Sequence, residues 1–161
     1  MMMNISPVAF LDTNILVYNH QGESKHNESS RKLLSACFNG EVVSYISPQI
    51  LLEFFAVITS PRRVTNPLSS ESAIEKVEEY LKSETILKLY QNEKTINTTV
   101  ELVKRYKPSQ QNIFDLHIVA TMLSHGITHI YTFNEKDFDV FSEITAINPD
   151  TIWTAGNPQS T

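Results

Sequence analysis

Four acidic residues stand where the chain could use them for chemistry. Asp12 ends the apolar run Val8-Ala9-Phe10-Leu11, and Glu53 interrupts the otherwise apolar run 50–58. Asp115 lies near the start of a helical pattern, and Asp137 a few residues past the apolar run 129–133. Carboxylate oxygens are hard ligands that suit Mg²⁺ or Mn²⁺, ions that prefer octahedral oxygen shells and keep several waters. Such an ion lowers the pKa of a water and polarises a phosphoryl oxygen; a second ion about 4 Å away would stabilise a leaving oxygen. Each acid alone has a structural explanation. Asp12 could be a turn or cap residue, Asp115 could satisfy amides at a helix start, and Asp137 could be a solvated loop acid. Glu53 resists that treatment, because a glutamate on a buried stripe is costly unless it binds a cation or pairs, for instance with Arg62 or Arg63. Taken together, four acids from four separated segments point to a hard-cation site.

The rest of the composition removes the competitors. Four scattered glycines (Gly22, Gly40, Gly126 and Gly156) form neither GxGxxG nor a P-loop. The single Cys37 excludes a disulfide framework and a cysteine-based zinc site, and suits a reducing cytosol. His20, His26, His117, His125 and His129 show no HExxH-type spacing and read as structural. A haloacid-dehalogenase-type phosphatase would need an acid two residues after its nucleophilic aspartate, where this chain has Asn14. Cys37, Trp153 and the pair Phe54-Phe55 read as packing residues. The net charge of −5 rules out a wholesale basic coat, yet nine of the 13 basic residues lie within 61–110. An acidic centre with a basic arm, or plain surface scatter, would each give that distribution. No apolar run approaches the ~18 residues of a membrane span, and the first four residues carry no positive charge, so a soluble cytoplasmic chain without a secretory signal is expected.

Positioning such acids is the task of the elements. At 161 residues and 41% apolar composition the chain is the size of one domain with a sizeable core. Strands are expected at 8–11, 42–46, 86–89, 129–133 and 143–147. Asp12-Thr13-Asn14 reads as a polar turn, followed by a polar loop over 19–27. Helices are expected at about 28–38, stopped by Gly40; after Ser47-Pro48 until Pro61; at 69–83; at 93–106; and from an Asn112 cap to Gly126. The 69–83 helix should bury Ala73, Ile74, Val77, Tyr80 and Leu81, and the 93–106 helix Ile96, Val100 and Val103. Strands alternating with helices predict an α/β fold with a mostly parallel sheet, which binds ligands at the carboxyl ends of its strands. A single domain over 1–154 with a frayed tail at 155–161 is expected.

At this point a resemblance emerges. Phe10-Leu11-Asp12-Thr13-Asn14-Ile15-Leu16 resembles the opening of a PIN domain, the ribonuclease fold of VapC-type toxins. Leu52-Glu53-Phe54, then Phe114-Asp115-Leu116-His117-Ile118-Val119-Ala120, follow in that family's order. Thr132-Phe133-Asn134-Glu135-Lys136-Asp137-Phe138 is similar to its T-x-N-x-x-D-F ending, with His125-Gly126 before the strand. The likeness spans about 8–149, and Ser60-Pro61-Arg62-Arg63 resembles one branch of the toxin group. It implies a three-layer α/β/α sandwich with Asp12, Glu53, Asp115 and Asp137 around Mg²⁺ or Mn²⁺, supported by Thr132 and Asn134. It implies a metal-dependent endoribonuclease cleaving RNA phosphodiester bonds, the toxin of a toxin–antitoxin pair, with a small antitoxin partner and a homodimeric state. Lys104, Arg105, Lys107, Arg62 and Arg63 are then candidates for phosphate contacts. A non-cleaving RNA- or protein-binding module, a phosphatase and a DNA nuclease stay open as alternatives.

Overall fold

The computed structural model describes residues 8–154; the expected tail at 155–161 and the first residues lie outside the described part. Five strands form one sheet: β1 (Val8–Leu11), β2 (Val43–Ile46), β3 (Ile86–Lys88), β4 (His129–Tyr131) and β5 (Thr145–Ile147). Their order is β3-β2-β1-β4-β5, and every neighbouring pair is parallel. The helices are α1 (Thr13–His20), α2 (Asn27–Phe38), α3 (Pro48–Ile58), α4 (Ser70–Lys82), α5 (Glu93–Tyr106), α6 (Ile113–Ser124), α7 (Glu135–Phe138) and α8 (Pro149–Thr154). The chain winds outward from β1 to β3, then returns past β1 to β4 and β5. Right-handed crossovers therefore put the connecting helices on opposite faces of the sheet. Packing of α1 on α2 and α3, and of α5 on α6, follows that division. None of the helices is long and apolar enough to cross a membrane among the described residues.

Local chemistry explains most boundaries. Gly40 and Gly126 follow the ends of α2 and α6 with φ of 74° and 73°, the left-handed conformation that closes a helix with least strain on glycine. The Ser69 side chain accepts from the Ser72 amide, and Asn92 with Thr95 forms a reciprocal capping box. Ser47 and Asn112 do occupy the N-cap positions of α3 and α6, but neither side chain makes a capping hydrogen bond.

Three segments depart from the sequence expectation. Asp12-Thr13-Asn14 is no turn: Asp12 is the extended N-cap of α1 and accepts from the Thr13 amide. Because Thr13, Ile15, Leu16 and Val17 are all buried, that helix shows no one-sided pattern to find. The polar turn after β4 holds the single-turn α7, and α8 follows β5. The third departure is rotational. Ile96 and Val100 of α5 are exposed, as are Ile74 and Leu81 of α4, while Thr95 and Leu102 are buried. Thr95 tolerates burial because its hydroxyl meets Ser124 Oγ at 2.9 Å, so α5 turns its threonines rather than its isoleucine toward α6.

Candidate active site

The reversal of winding lies between β1 and β4, the place where open parallel sheets leave a crevice beyond their carboxyl ends. Asp12 follows the last residue of β1, and Thr132 the last residue of β4. The Asp12 amide donates to the Tyr131 carbonyl at 3.0 Å, holding the two strand ends together. Across the same seam the Thr132 hydroxyl donates to Asp12 Oδ2 at 2.7 Å. The Asn14 amide nitrogen reaches Asp12 Oδ2 and Thr132 Oγ1, each at 3.2 Å, while its carbonyl accepts from the Phe133 amide. Asp12 Oδ1 accepts from the Thr13 amide at 2.7 Å. Asp12 is thus held in place on both oxygens.

Glu53 enters from α3. Its Oε2 accepts from the Thr13 hydroxyl and its Oε1 from the Gln49 amide, both at 2.7 Å. The pairing with Arg62 or Arg63 considered from sequence does not occur. Asp115 comes from the first turn of α6 and Asp137 from α7. All four carboxylates line one open cavity of about 520 Å³, together with Asn14, Asn134 and Arg63. Thr132 lies behind it, fully buried.

Electrostatics in the cavity run against ionisation. Burial pushes the Asp12 carboxyl up to about 6, with the Asp115 and Glu53 charges adding and the Thr132 and Thr13 hydrogen bonds opposing. Asp115, half-buried, is also pushed up to about 6, first by burial and then by Asp137 and Glu53. A cluster of carboxylates that raise one another is what a cation relieves. Among the described residues, no three Asp, Glu, His or Cys side chains are grouped as the direct ligands of one ion. Mg²⁺ asks for less: it retains several waters and is held through one or two carboxylates. A pair drawn from these four acids, with the others facing its waters, is a donor set that fits.

The basic candidates separate. Arg63 lines the cavity and makes no ion pair among the described residues. Arg105 is bound instead to Glu143, and Lys104, Lys107 and Arg62 do not line the cavity. His26 Nδ1 makes a structural contact with Asp150 Oδ2 at 2.6 Å; Cys37 and Phe54 are in the core. The resemblance named Thr132 as a support, and its hydroxyl does hold Asp12, but Asn14, Thr13 and Gln49 were missed. Thr13 and Asn14 read only as parts of a polar turn, with Asn14 also standing where a phosphatase would need its second acid. Gln49, one helical turn before Glu53, carried a readable i,i+4 signal.

Comparison with known proteins agrees with this fold. The PIN domain family model matches residues 9–144. The chain is 24% identical over 138 residues to ribonuclease VapC48 of Mycobacterium tuberculosis, covering 86% of this chain and 94% of that protein. Among solved structures, it is similar to M. tuberculosis VapC20, a sarcin-ricin loop cleaving toxin, with a TM-score of 0.62 at 15% identity, covering 83% of this chain and 95% of that one. VapBC2 of Rickettsia felis, bound to a DNA fragment from its promoter, gives 0.62 at 22% identity and covers 88% and 98%.

Proposed function

The chain belongs to the PIN domain family, and from that premise we propose that it is a metal-dependent endoribonuclease acting on RNA, the toxin of a toxin–antitoxin pair. One observation carries the reading: the Thr132–Asp12 hydrogen bond across the β1/β4 seam fixes a buried carboxylate at the mouth of a cavity shared by three further acids. Relatives named ribonucleases and structural neighbours described as toxins or toxin–antitoxin complexes support the same reading. A small antitoxin that blocks the cavity, a homodimeric state and a cytoplasmic location belong to this proposal.

Asp12 and Asp115 would hold the ion, with Glu53 and Asp137 completing its surroundings through waters. Mg²⁺ or Mn²⁺, when bound, supplies Lewis acidity toward a phosphodiester and a water of lowered pKa. The chain's own residues do the positioning. Thr132 and Asn14 fix the carboxylate plane of Asp12, and Thr13 with Gln49 fixes that of Glu53. Arg63 offers its guanidinium to a phosphate entering the cavity, the bidentate match that arginine makes well. The test is cleavage of a panel of structured RNAs by purified protein with and without Mg²⁺ or Mn²⁺. Metal-dependent internal cuts are expected; RNA left intact under every condition refutes the proposal.

A further inference from the structure

Beside the acidic cavity lies a second groove, also about 520 Å³, lined by Pro48, Gln49, Leu52, Glu53, Gln91, Phe114 and His117. Glu53 lines both spaces, and Phe114 and Leu52 immediately precede Asp115 and Glu53 in the chain. A ligand extending from the acids therefore reaches the groove without leaving the surface. Leu52 and Phe114 are 71% and 63% exposed, large apolar side chains left open to solvent.

The polar wall opposite them has a defined hydrogen-bond pattern. The Thr99 hydroxyl donates to the Thr95 carbonyl at 2.8 Å, so toward His117 Nδ1 it acts as acceptor and that nitrogen carries the proton. His117 Nε2 then accepts from the Gln91 amide nitrogen. The Gln91 side chain keeps its carbonyl and its second N–H for a ligand, an adjacent acceptor and donor pair. Aside from Glu53 the lining carries no carboxylate and no lysine or arginine. A flat ring with a donor–acceptor edge matches this groove; a charged phosphate does not.

We propose that this groove is a nucleobase subsite, in which one unpaired base flanking the cut phosphate stacks on Phe114 over Leu52 and is read by the Gln91 amide held on His117. This rests on the ribonuclease reading for its biological substrate, since sequence-selective proteins take RNA bases on aromatic faces and read their exposed edges. Loss of a base–aromatic stack corresponds to about five- to 150-fold in affinity.

The test titrates ¹⁵N-labelled full-length protein with adenosine and uridine 5′-monophosphates, and with ribose 5-phosphate as the base-free control. The Gln91 side-chain amide and His117 imidazole resonances should shift with a nucleotide and not with ribose 5-phosphate, and Phe114→Leu should abolish the shift. In a randomised single-stranded RNA pool, Phe114→Leu and Gln91→Ala should flatten the base preference at one position beside the cut. Equal responses to nucleotide and ribose phosphate overturn the subsite, as does an unchanged base preference in both variants. Variants that merely lower the sedimenting mass, with the base preference intact, overturn it in favour of a contact between copies. Base-dependent shifts in a wild-type protein that cuts no RNA would uphold the subsite and refute the ribonuclease reading. RNA cleavage without those shifts would do the reverse.

Discussion

Replacing Asp12 with asparagine should make the metal-free protein relatively more stable as pH rises, although it removes a central site residue. The Asp12 carboxyl titrates at about 6 in the folded protein against 3.8 for its ordinary value. Between about pH 4 and pH 6 the folded state holds a proton that the unfolded state has released. Wild-type stability therefore falls as pH rises through this window and then levels off. About two pKa units correspond to about 3 kcal/mol. Asparagine does not titrate, so the variant escapes that loss, but it brings a separate cost. Its Oδ1 keeps the Thr13 amide, whereas an NH₂ at the other position faces the Asn14 amide and the Thr132 hydroxyl, both donors. Leaving those groups poorly matched costs about 1–3 kcal/mol at any pH. The variant is therefore expected to be less stable than wild type at pH 4 and equal or more stable at pH 7, with a difference that changes by about 3 kcal/mol. Urea denaturation of both proteins in EDTA from pH 4 to pH 8 measures it. A difference independent of pH would refute the reasoning, because it would mean that burial does not oppose the Asp12 charge.

Four further outcomes are expected. Asp12→Asn and Asp115→Asn should each abolish metal-dependent RNA cleavage in folded protein, with the double variant little worse than either, as for residues acting as one unit; wild-type rates in both would refute the site. Mn²⁺ or Mg²⁺ should raise the wild-type melting temperature at pH 7.5, by RT ln(1 + [L]/Kd) in free energy. That gain should shrink below about pH 6 as protons compete for Asp12 and Asp115, and calorimetry at both pH values checks it. Thr132→Val removes a hydrogen bond that lowers the Asp12 pKa, so the acidic limb of the cleavage profile should move to higher pH, read from rate against pH. Arg63→Ala should weaken RNA binding and reduce the slope of log affinity against log salt by about one, whereas an unchanged slope would remove Arg63 from the phosphate path.

The sheet was readable because its strands are short apolar runs bounded by turn chemistry, and parallel order followed from their alternation with helices. Asp12, Glu53, Asp115 and Asp137 could be singled out because each sits at a break in an apolar pattern, a local signal. What holds them is not local. Thr132 reaches Asp12 over 120 residues and Thr13 reaches Glu53 over 40, and periodicity carries no information about such pairings. Helix α1 was missed because burial on all sides erases the amphipathic pattern. The rotation of α5 was missed because the preference for burying isoleucine over threonine fails once the threonine hydroxyl has a partner. The exposure of Leu52 and Phe114 was legible, since both lie off the buried stripes of their helices, Ile50, Leu51, Phe54 and Ile58 in α3 and Leu116, Val119 and Ala120 in α6.

The central place of β1 has a consequence for how the molecule comes into being. Strand β1 pairs with β4, so the seam cannot close until β4 has been made. At about 5–20 residues per second, the 120 residues between Asp12 and Thr132 take about 6–24 s to synthesise. During that interval Asp12 has neither its hydroxyl donor nor the shelter that raises its pKa, and Asp137 does not yet exist. Topology itself thus acts as a timer, holding back the assembled site until β4 and α7 have been synthesised.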